Sequence, residues 1–507
     1  LLPILTVGLV YMTAQSVVAW AGDTFNFNVG QELTSMLIVV LFGIGTDYIL
    51  FLLFRMRERL KYGDDTATAV ATAVGRVGEV VTSAAGVIIV SLGTFVLASL
   101  GFLASMGPAL AISVLLMGVA VLTLLPAILA LLGPRVFWPS KAWMRPHEEG
   151  TSRRLGRLVA GRPALVGGVA AVVLLALGSG TLSLKNNYDQ ISQLPQDVES
   201  VQAFSTLQRG FPAGALTPVQ VFLTTDQGAP SQQQIGAIAK ALQGDKAVGQ
   251  LLPPQPAPDG KAVELDALLA TNPFSEQGLN SIEGLRTTVH QAAEQASAAG
   301  GRVTAYVGGQ TASFADLRDA YNRDVSVVFP VAAALIFVIL AILLRAVIAP
   351  LYLLVAVVLG FGASLGATVY LFQDALGHGG VIFFMPIVLY AFVVAIGTDY
   401  NILMISRLRE EARAGKEPRA AAALSVEHSV PAIAAAGLIL AGTFGSLMLA
   451  RVSLLTEMGF AVMMGVVLVA YVVAMFLVPS VTTLLGHRAW WPGHQDMPRH
   501  GEGEGID

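Results

Sequence analysis

Ten apolar stretches run through this sequence of 507 residues, and each is long enough to cross a lipid bilayer as an α-helix. The chain is 54% hydrophobic and only 13% charged, whereas about a quarter of the residues in a soluble domain carry a charge. These properties predict a polytopic α-helical membrane protein. The stretches are 2–21, 33–54, 78–100, 106–132, 163–182, 325–344, 349–372, 381–406, 430–450 and 457–485.

The distribution of positive charge predicts how these helices are oriented. Of the 30 Lys and Arg residues, most lie in one alternating set of loops, which includes 55–77, 134–162 and 407–419. The short loops on the other side contain only Arg451. Because loops rich in Lys and Arg stay in the cytoplasm, we expect the amino-terminal end, the 134–162 connector and the carboxyl tail to be cytoplasmic. The long segment 183–323 would then lie outside.

Segment 183–323 has the composition of a folded α/β domain. Residues 218–225 and 303–307 are β-branched runs of strand length. Residues 231–242 and 275–298 have a helical composition. At roughly 140 residues, the segment is large enough to enclose a core of its own.

The apolar part of the sequence contains an internal repeat. The tetrapeptide Gly-Thr-Asp-Tyr occurs at 45–48 and again at 397–400. We therefore predict two four-helix repeats, 2–132 and 349–485, which run in the same direction across the membrane. A similar shift along the chain aligns further segments, namely 126–139 with 479–492 and Met106-Gly107 with Met458-Gly459.

The second repeat is preceded by elements that the first repeat lacks. These are a helix at 163–182, the α/β domain, and a helix at 325–344. The simplest interpretation is that a first helix, a first outside domain and a second helix precede residue 1 in a longer chain. Such a chain would have twelve helices and two outside domains.

Two carboxylates lie deep inside apolar stretches. Asp47 and Asp399 each precede an arginine, Arg55 or Arg407, by eight residues. That separation places them about 12 Å from the membrane surface, close to the middle of a hydrocarbon core about 30 Å thick. A carboxylate at that depth is costly and usually functional, so the pair indicates a duplicated membrane machine that handles protons or ions. The alternative is a structural hydrogen bond preserved by duplication.

Several further segments carry a resemblance to a known family. They are Val307-Gly308-Gly309-Gln310, Asn322-Arg323-Asp324, GTDYNILMISRLREE at 397–411 and LVPSVTTLLGHRAWWP at 477–492. In these segments the chain resembles the MMPL family, whose members export lipids and other hydrophobic molecules and belong to the RND superfamily. The resemblance extends from residue 1 to residue 492.

The resemblance implies export driven by the proton gradient across a bacterial cytoplasmic (inner) membrane. It assigns a proton relay to Asp47, Tyr48, Asp399 and Tyr400, and it implies that the first helix, first porter domain and second helix are missing. The implied partners are protons, membrane lipids and a lipid or hydrophobic small-molecule substrate, with no nucleic acid and no cofactor. The implied parts are a first transmembrane repeat at 1–133, a cytoplasmic connector at 134–162, a transmembrane helix at 163–182, an extracytoplasmic porter-like domain at 183–323, transmembrane helices including the second repeat at 324–486, and a cytoplasmic tail at 487–507.

The motif residues suit a proton relay. A tyrosine hydroxyl can donate a hydrogen bond to an ionised carboxylate or accept one from a protonated carboxyl group. Adjacent residues of a helix do not face each other, so we predict crossed pairing, with Asp47 opposite Tyr400 and Asp399 opposite Tyr48. Small residues let helices approach closely in membranes, and the residues assigned to packing of the relay helices are Gly43, Gly45, Thr46, Gly397 and Thr398.

Other polar residues have simpler explanations. The arginines that follow each motif are expected to anchor the helices at the cytoplasmic surface. Glu79 and Glu457 lie near the ends of apolar stretches, where we expect them to face water or lipid headgroups. The seven His residues are scattered without paired ligand spacing, so we expect no metal site.

Competing functions remain open at this point. An ATP-driven exporter is disfavoured, because the sequence has no GxxxxGK[S/T] phosphate-binding loop. An intramembrane aspartyl protease would also use two carboxylates, and a non-transporting RND-like sensor, scaffold or secretion accessory protein would share the membrane core. The duplicated Asp-Tyr pairs favour a secondary active transporter over an enzyme.

Overall fold

The computed structural model of this chain describes residues 2–138, 150–189, 191–195, 197–211, 214–226, 228–298 and 300–493. Parts of the predicted connector and most of the predicted carboxyl tail lie outside these residues. Within the described part, ten helices are long and apolar enough to cross a membrane, which confirms the predicted polytopic helical fold. They are Leu2–Phe25, Met36–Lys61, Thr66–Leu97, Gly101–Phe137, Pro163–Ser183, Gln310–Leu344, Ile348–Ala375, Met385–Arg413, Pro418–Leu449 and Ser453–Trp490.

The described α-helices and strands follow one another in a simple order, with all but one of the strands between the fifth and sixth spans. The α-helices are α1 (Leu2–Phe25), α2 (Gln31–Lys61), α3 (Thr66–Gly93), α4 (Gly101–Leu122), α5 (Leu124–Leu132), α6 (Thr151–Gly161), α7 (Pro163–Gly178), α8 (Glu199–Gly210), α9 (Gln232–Gln243), α10 (Glu276–Ser297), α11 (Gln310–Leu344), α12 (Ile348–Thr368), α13 (Met385–Arg413), α14 (Pro418–Gly445), α15 (Ser453–Val467) and α16 (Val478–Leu485). The strands are β1 (Asn186–Asn187), β2 (Val219–Thr225), β3 (Val248–Leu251), β4 (Gln255–Pro256), β5 (Ala262–Leu269), β6 (Val303–Gly308) and β7 (Val381–Ile382).

The two repeats fold alike, element by element. Helices α3 and α14 each contain 28 residues, and their first residues are separated by the same 352 positions as the two Gly-Thr-Asp-Tyr motifs. Each helix continues into one turn of 3-10 helix, Thr94–Leu97 or Ser446–Leu449. The sequence repeat is therefore a repeat of structure.

The second repeat differs from the first because it contains π-helical turns. A π-helical segment, Val369–Ala375, continues α12, and another, Leu468–Leu477, joins α15 to α16. At the place that corresponds to the second segment, the first repeat has only a short break at Thr123. Segments of this kind are frequent at functional sites. The segment Leu468–Leu477 carries Val469, whose side chain packs against Gly397, two residues before Asp399.

Helices α7 and α12 approach each other at backbone distance. A Cβ atom on Gly366 would lie 2.0 Å from the carbonyl oxygen of Leu177, and a Cβ on Gly180 would lie 2.4 Å from the carbonyl oxygen of Gly366. Only residues without a side chain permit this approach. The contact holds the helix that leads into the extramembrane domain against the second repeat.

The extramembrane domain, residues 184–309, is built around an antiparallel sheet. Its strand order is β3-β5-β2-β6, and β4 pairs with the edge of β5. The buried side chains of β2 and β5 include Val221, Leu223 and Leu265. Helices α9 and α10 contribute Ile238 and Val289 to the same core. The predicted strands and helices of this segment are present, with shifts of one residue at most ends.

A short junction connects this domain to the second repeat. Strand β1 leaves the end of α7 and pairs in parallel with β7, which comes just before α13. The ring of Tyr188 stacks on Phe383 with centroids 5.1 Å apart, and Phe314 of α11 meets both rings edge to face. The segment that leads into α13 is therefore in direct contact with the domain.

Candidate functional site

The four residues of the predicted relay lie together in the centre of the helical bundle. Asp47 and Tyr48 are in the middle of α2, and Asp399 and Tyr400 are in the middle of α13. All four side chains are buried, with exposed fractions of at most 2%. The long apolar runs around the motifs place these polar groups inside the bundle, where bulk water does not reach them.

One hydrogen bond crosses between the two repeats. The Tyr400 hydroxyl donates to Oδ2 of Asp47 over a distance of 2.7 Å. Among the described residues, the other carboxylate oxygen of Asp47 has no hydrogen-bond partner. The bond therefore runs in the crossed sense that the sequence predicts, from a tyrosine of one motif to the aspartate of the other.

The second crossed pair is looser. The Tyr48 hydroxyl faces Asp399 and acts on its carboxyl group as a weak hydrogen-bond partner, but with the described residues it falls short of the full hydrogen-bond geometry that Tyr400 and Asp47 reach. Asp399 is also close enough to Asp47 for the two carboxyl groups to affect each other electrostatically. The four groups thus form one cluster with one short hydrogen bond and one looser contact.

The cluster contains several polar atoms without partners in the described part of the chain. They are Oδ1 of Asp47, the Tyr48 hydroxyl and Oδ1 of Asp399. Asn401, two residues after Asp399, also has both side-chain polar atoms without a partner there, and it faces an apolar cavity between α11, α12 and α13. Buried polar groups are normally paired, so a site with this many open donors and acceptors is suited to protons or water molecules that come and go. At the position of Asn401 the first repeat has the apolar Ile49.

The threonines of the two motifs bond to their own helices. Thr398 Oγ1 donates to the carbonyl oxygen of Val394 at 2.7 Å, and Thr46 Oγ1 donates to the carbonyl of Phe42. Such a bond, one helical turn back, satisfies the hydroxyl locally. The structure therefore gives both threonines a hydrogen bond within their own helix.

The motif glycines have their nearest neighbours on helices beside the relay. A Cβ atom on Gly43 would lie nearest to Leu440 of α14, one on Gly45 nearest to Met117 of α4, and one on Gly397 nearest to Val469. None of these neighbours belongs to the other motif helix. The glycines make room for side chains of the helices beside the relay.

Each relay helix has a matching ion pair near its end, on the side opposite the extramembrane domain. Arg55 lies 2.5 Å from Glu58, and Arg407 forms the corresponding pair with Glu410. Arg409 donates to the carbonyl oxygen of Leu343 at the end of α11. Arg55 and Arg407 thus pair within their own helices, and Arg409 joins α13 to the end of α11.

Glu457 is a polar residue of the bundle that the sequence interpretation placed wrongly. It was expected to face water or headgroups, but it is only 2% exposed. Its carboxylate accepts a hydrogen bond of 3.1 Å from the Ile382 backbone N–H and lies 3.4 Å from Nδ1 of His378. The loop before α13 covers it. The repeat contained one sign that Glu457 differs from a water-facing residue, because the corresponding residue of the first repeat is the uncharged Ser105.

Comparison with known proteins decides the family. The sequence model of the MMPL family matches residues 1–166 and 192–504, which is nearly the whole chain. The chain belongs to the MMPL family.

Similar proteins are found among bacterial members. This MMPL chain is 33% identical over 495 residues to a putative membrane protein of Streptomyces coelicolor, in an alignment that covers 97% of the chain and 58% of that protein. It is 30% identical over 511 residues to the apo-petrobactin exporter of Bacillus anthracis, with 97% of the chain and 68% of the exporter covered. The chain therefore spans little more than half to two thirds of the length of these relatives.

A solved structure shares the fold. The crystal structure of SecDF in its super-membrane-facing form superimposes on this MMPL chain with a TM-score of 0.55 at 14% sequence identity, over 95% of the chain and 58% of SecDF. The arrangement of helices and extramembrane domain described above is thus one that a known membrane protein adopts.

Proposed function

We propose that this protein uses the proton gradient to export lipids or other hydrophobic small molecules across the bacterial cytoplasmic membrane. The observation that carries the proposal is the hydrogen bond from Tyr400 to Asp47, which joins the two repeats inside a buried cluster of two carboxyl groups and two hydroxyls. A proton gradient can act on such a cluster, because adding or removing one proton changes the charge at the buried contact between the two repeats.

The proposed cycle begins with a change of protonation at the cluster. An ionised Asp47 accepts the Tyr400 hydroxyl bond, whereas a protonated Asp47 also carries a donor of its own. The preferred contacts between α2 and α13 then differ in the two states, and a shift in populations between two packings of the repeats follows. Alternate access of the cluster to the two sides would convert proton entry into movement.

The proposed orientation places the extramembrane domain outside the cytoplasm and the connector and carboxyl tail inside. It rests on the excess of Lys and Arg in the loops on the side opposite the domain. Protons would then enter from the domain side and leave on the side of the Arg55 and Arg407 ion pairs.

The proposed cargo is a molecule that dissolves in the membrane. The relay itself is enclosed by apolar residues, so it would handle protons only, and the cargo would be handled by the extramembrane domain and the helices next to it. The name of the Bacillus anthracis relative, an apo-petrobactin exporter, supports export as the activity. It does not define the substrate of this chain, for which a lipid or a hydrophobic small molecule is proposed.

The test uses cells that lack the gene and are complemented with the full-length protein or its variants. Mass spectrometry of surface and medium extracts identifies molecules whose export depends on the wild-type protein and stops when a protonophore collapses the gradient. Asp47→Asn and Asp399→Asn are each expected to abolish this export at normal expression. Asp374→Asn, which removes an exposed carboxylate beyond the end of α12, serves as the control. Wild-type export by either relay variant would refute the proposal.

A further inference from the structure

A buried carboxylate of α11 is bound to a loop of the first repeat. Asp324 has no exposed surface, and its two oxygens accept hydrogen bonds from the Ser99 backbone N–H at 2.7 Å, the Ser99 hydroxyl at 2.7 Å and the Leu100 backbone N–H at 2.9 Å. These two residues lie directly before the start of α4. We call this set of three bonds the Asp324 clasp.

The charges around the clasp strengthen it. Arg323 lies 3.0 Å from Oδ1 of Asp324, so the carboxylate remains compensated although it is buried. The N-terminus of α4 also favours a negative charge, because its first backbone N–H groups have no partners within the helix. Hydrogen bonds to an ionised acceptor are about twice as strong as neutral ones. The clasp is therefore a firm connection between α11 and the first repeat.

The same helix begins in the extramembrane domain, which is attached separately to the second repeat. Phe314, ten residues before Asp324 on α11, packs against Phe383, and β1 pairs with β7. The domain is thus fixed on one side to the entry of relay helix α13, while the Asp324 clasp fixes α11 to the other half of the bundle.

The corresponding loop of the second repeat has a weaker contact with the domain. The residue that corresponds to Ser99 is Arg451, and its guanidinium lies 2.7 Å from Asp197. Both side chains are largely exposed, at 75% and 61%. Exposed ion pairs contribute little, so the two matching loops differ in how firmly they are held.

We propose that the Asp324 clasp is a positioning contact that makes the extramembrane domain respond to relative movement of the two repeats. A body attached to two parts must change its position or shape when those parts move against each other. If it is attached to only one of them, it follows that part alone. The inference rests on the proposed function, because the relay supplies the movement that the clasp passes on.

The absence of cysteine from the chain makes a distance measurement direct. Spin labels are placed on Cys introduced at Leu97, Leu449 and Tyr306, all with exposed side chains, in the full-length protein. Leu97 and Leu449 occupy corresponding positions in the two repeats, so the 97–449 distance reports movement between them. The 97–306 distance reports movement between the first repeat and the domain. Asp47→Asn combined with Asp399→Asn fixes the relay in a neutral state.

The expected result separates the two distances. Neutralising the relay shifts the 97–449 distance and leaves the 97–306 distribution narrow and unshifted. In Asp324→Asn the 97–449 shift persists, but the 97–306 distribution broadens and shifts with it. Ser99→Ala removes one of the three bonds and is expected to produce a smaller change of the same kind, and it carries the test if Asp324→Asn does not fold. Asp197→Asn, the control at the matching loop, leaves the 97–306 distribution unchanged.

The contrary results differ for the two proposals. If neither Asp324→Asn nor Ser99→Ala alters the 97–306 distribution while the 97–449 shift persists, or if Asp197→Asn alters it equally, the clasp has no such role and the proposed relay stands. If neutralisation of the relay leaves the 97–449 distance unchanged, the two repeats do not move against each other. The proposed function then fails together with the inference.

Discussion

The Tyr400 hydroxyl bonds to the Asp47 carboxylate at 2.7 Å although the two residues are separated by 353 positions in the chain. The reciprocal tyrosine, Tyr48, is equally buried but makes only a looser contact with Asp399. A motif that is symmetric in sequence is therefore asymmetric in structure. The two tyrosines are expected to differ in importance, and that difference can be measured.

Replacement of the two tyrosines by phenylalanine forms a matched pair of variants. Tyr400→Phe removes a bond to a charged group, which contributes about 1.5–3 kcal/mol, and about 1.4 kcal/mol corresponds to tenfold. We expect proton-dependent export, measured by mass spectrometry as above, to fall by about tenfold or more. Tyr48→Phe removes a hydroxyl with only a looser contact in this state and is expected to have a clearly smaller effect. Equal losses would mean that the observed asymmetry does not matter for transport.

The close contact between α7 and α12 gives a prediction about stability. In Gly366→Ala the new Cβ would lie 2.0 Å from the Leu177 carbonyl oxygen, and forcing the two backbones apart is expected to cost about 1–3 kcal/mol. Gly362→Ala, one turn earlier on the same helix, meets nothing within 4 Å. It should be neutral or stabilising by up to about 1 kcal/mol, because alanine favours a helix over glycine. Thermal unfolding in detergent compares the two, and similar melting temperatures would contradict the packing.

The extramembrane domain should show a pH dependence that arises from Asp266. Burial raises the pKa of this carboxyl on β5, and the neighbouring charge of Glu264 raises it further. A group with a raised pKa in the folded state stabilises the fold most below its unfolded pKa, and this contribution is lost as the pH rises through the folded pKa. Asp266→Asn is therefore expected to make the domain more stable than wild type at pH 7, with the difference disappearing towards pH 4.

Hydrogen-exchange protection of the β5 backbone amides, measured in the whole protein at both pH values, tests this expectation. Asp226→Asn makes the same change of charge at an exposed turn after β2 and should leave the protection unchanged. A variant at Asp266 that follows the wild type at every pH would show that this carboxyl does not control the stability of the sheet.

Much of this arrangement is predictable because it depends on long apolar stretches and on a repeated motif. The ten spans follow from the length of the apolar stretches, and crossed pairing follows from the rule that adjacent helix residues face apart. Which crossed pair forms a good bond depends on rotations of α2 and α13 by fractions of a turn. Those rotations are set by packing against other helices, as at Gly45 and Met117, and no local sequence pattern contains them.

Contacts between distant segments were the hardest to predict. Asp324 stands at the start of an apolar stretch, where a carboxylate usually meets water, and its partners Ser99 and Leu100 are more than 220 residues away. Glu457 likewise becomes buried only because the loop before α13 folds over it. In both cases the partner is a backbone N–H, a group that every residue except proline has, so the sequence does not single it out.

The exchange of Ser105 for Glu457 between the repeats has a consequence for how the halves may be recombined. A chimaera with two copies of the first repeat would keep both Asp-Tyr pairs, but it would lose Glu457 together with the loop whose Ile382 N–H that acid binds. The two repeats are therefore not interchangeable, and the structural difference between them lies in residues outside the duplicated motif.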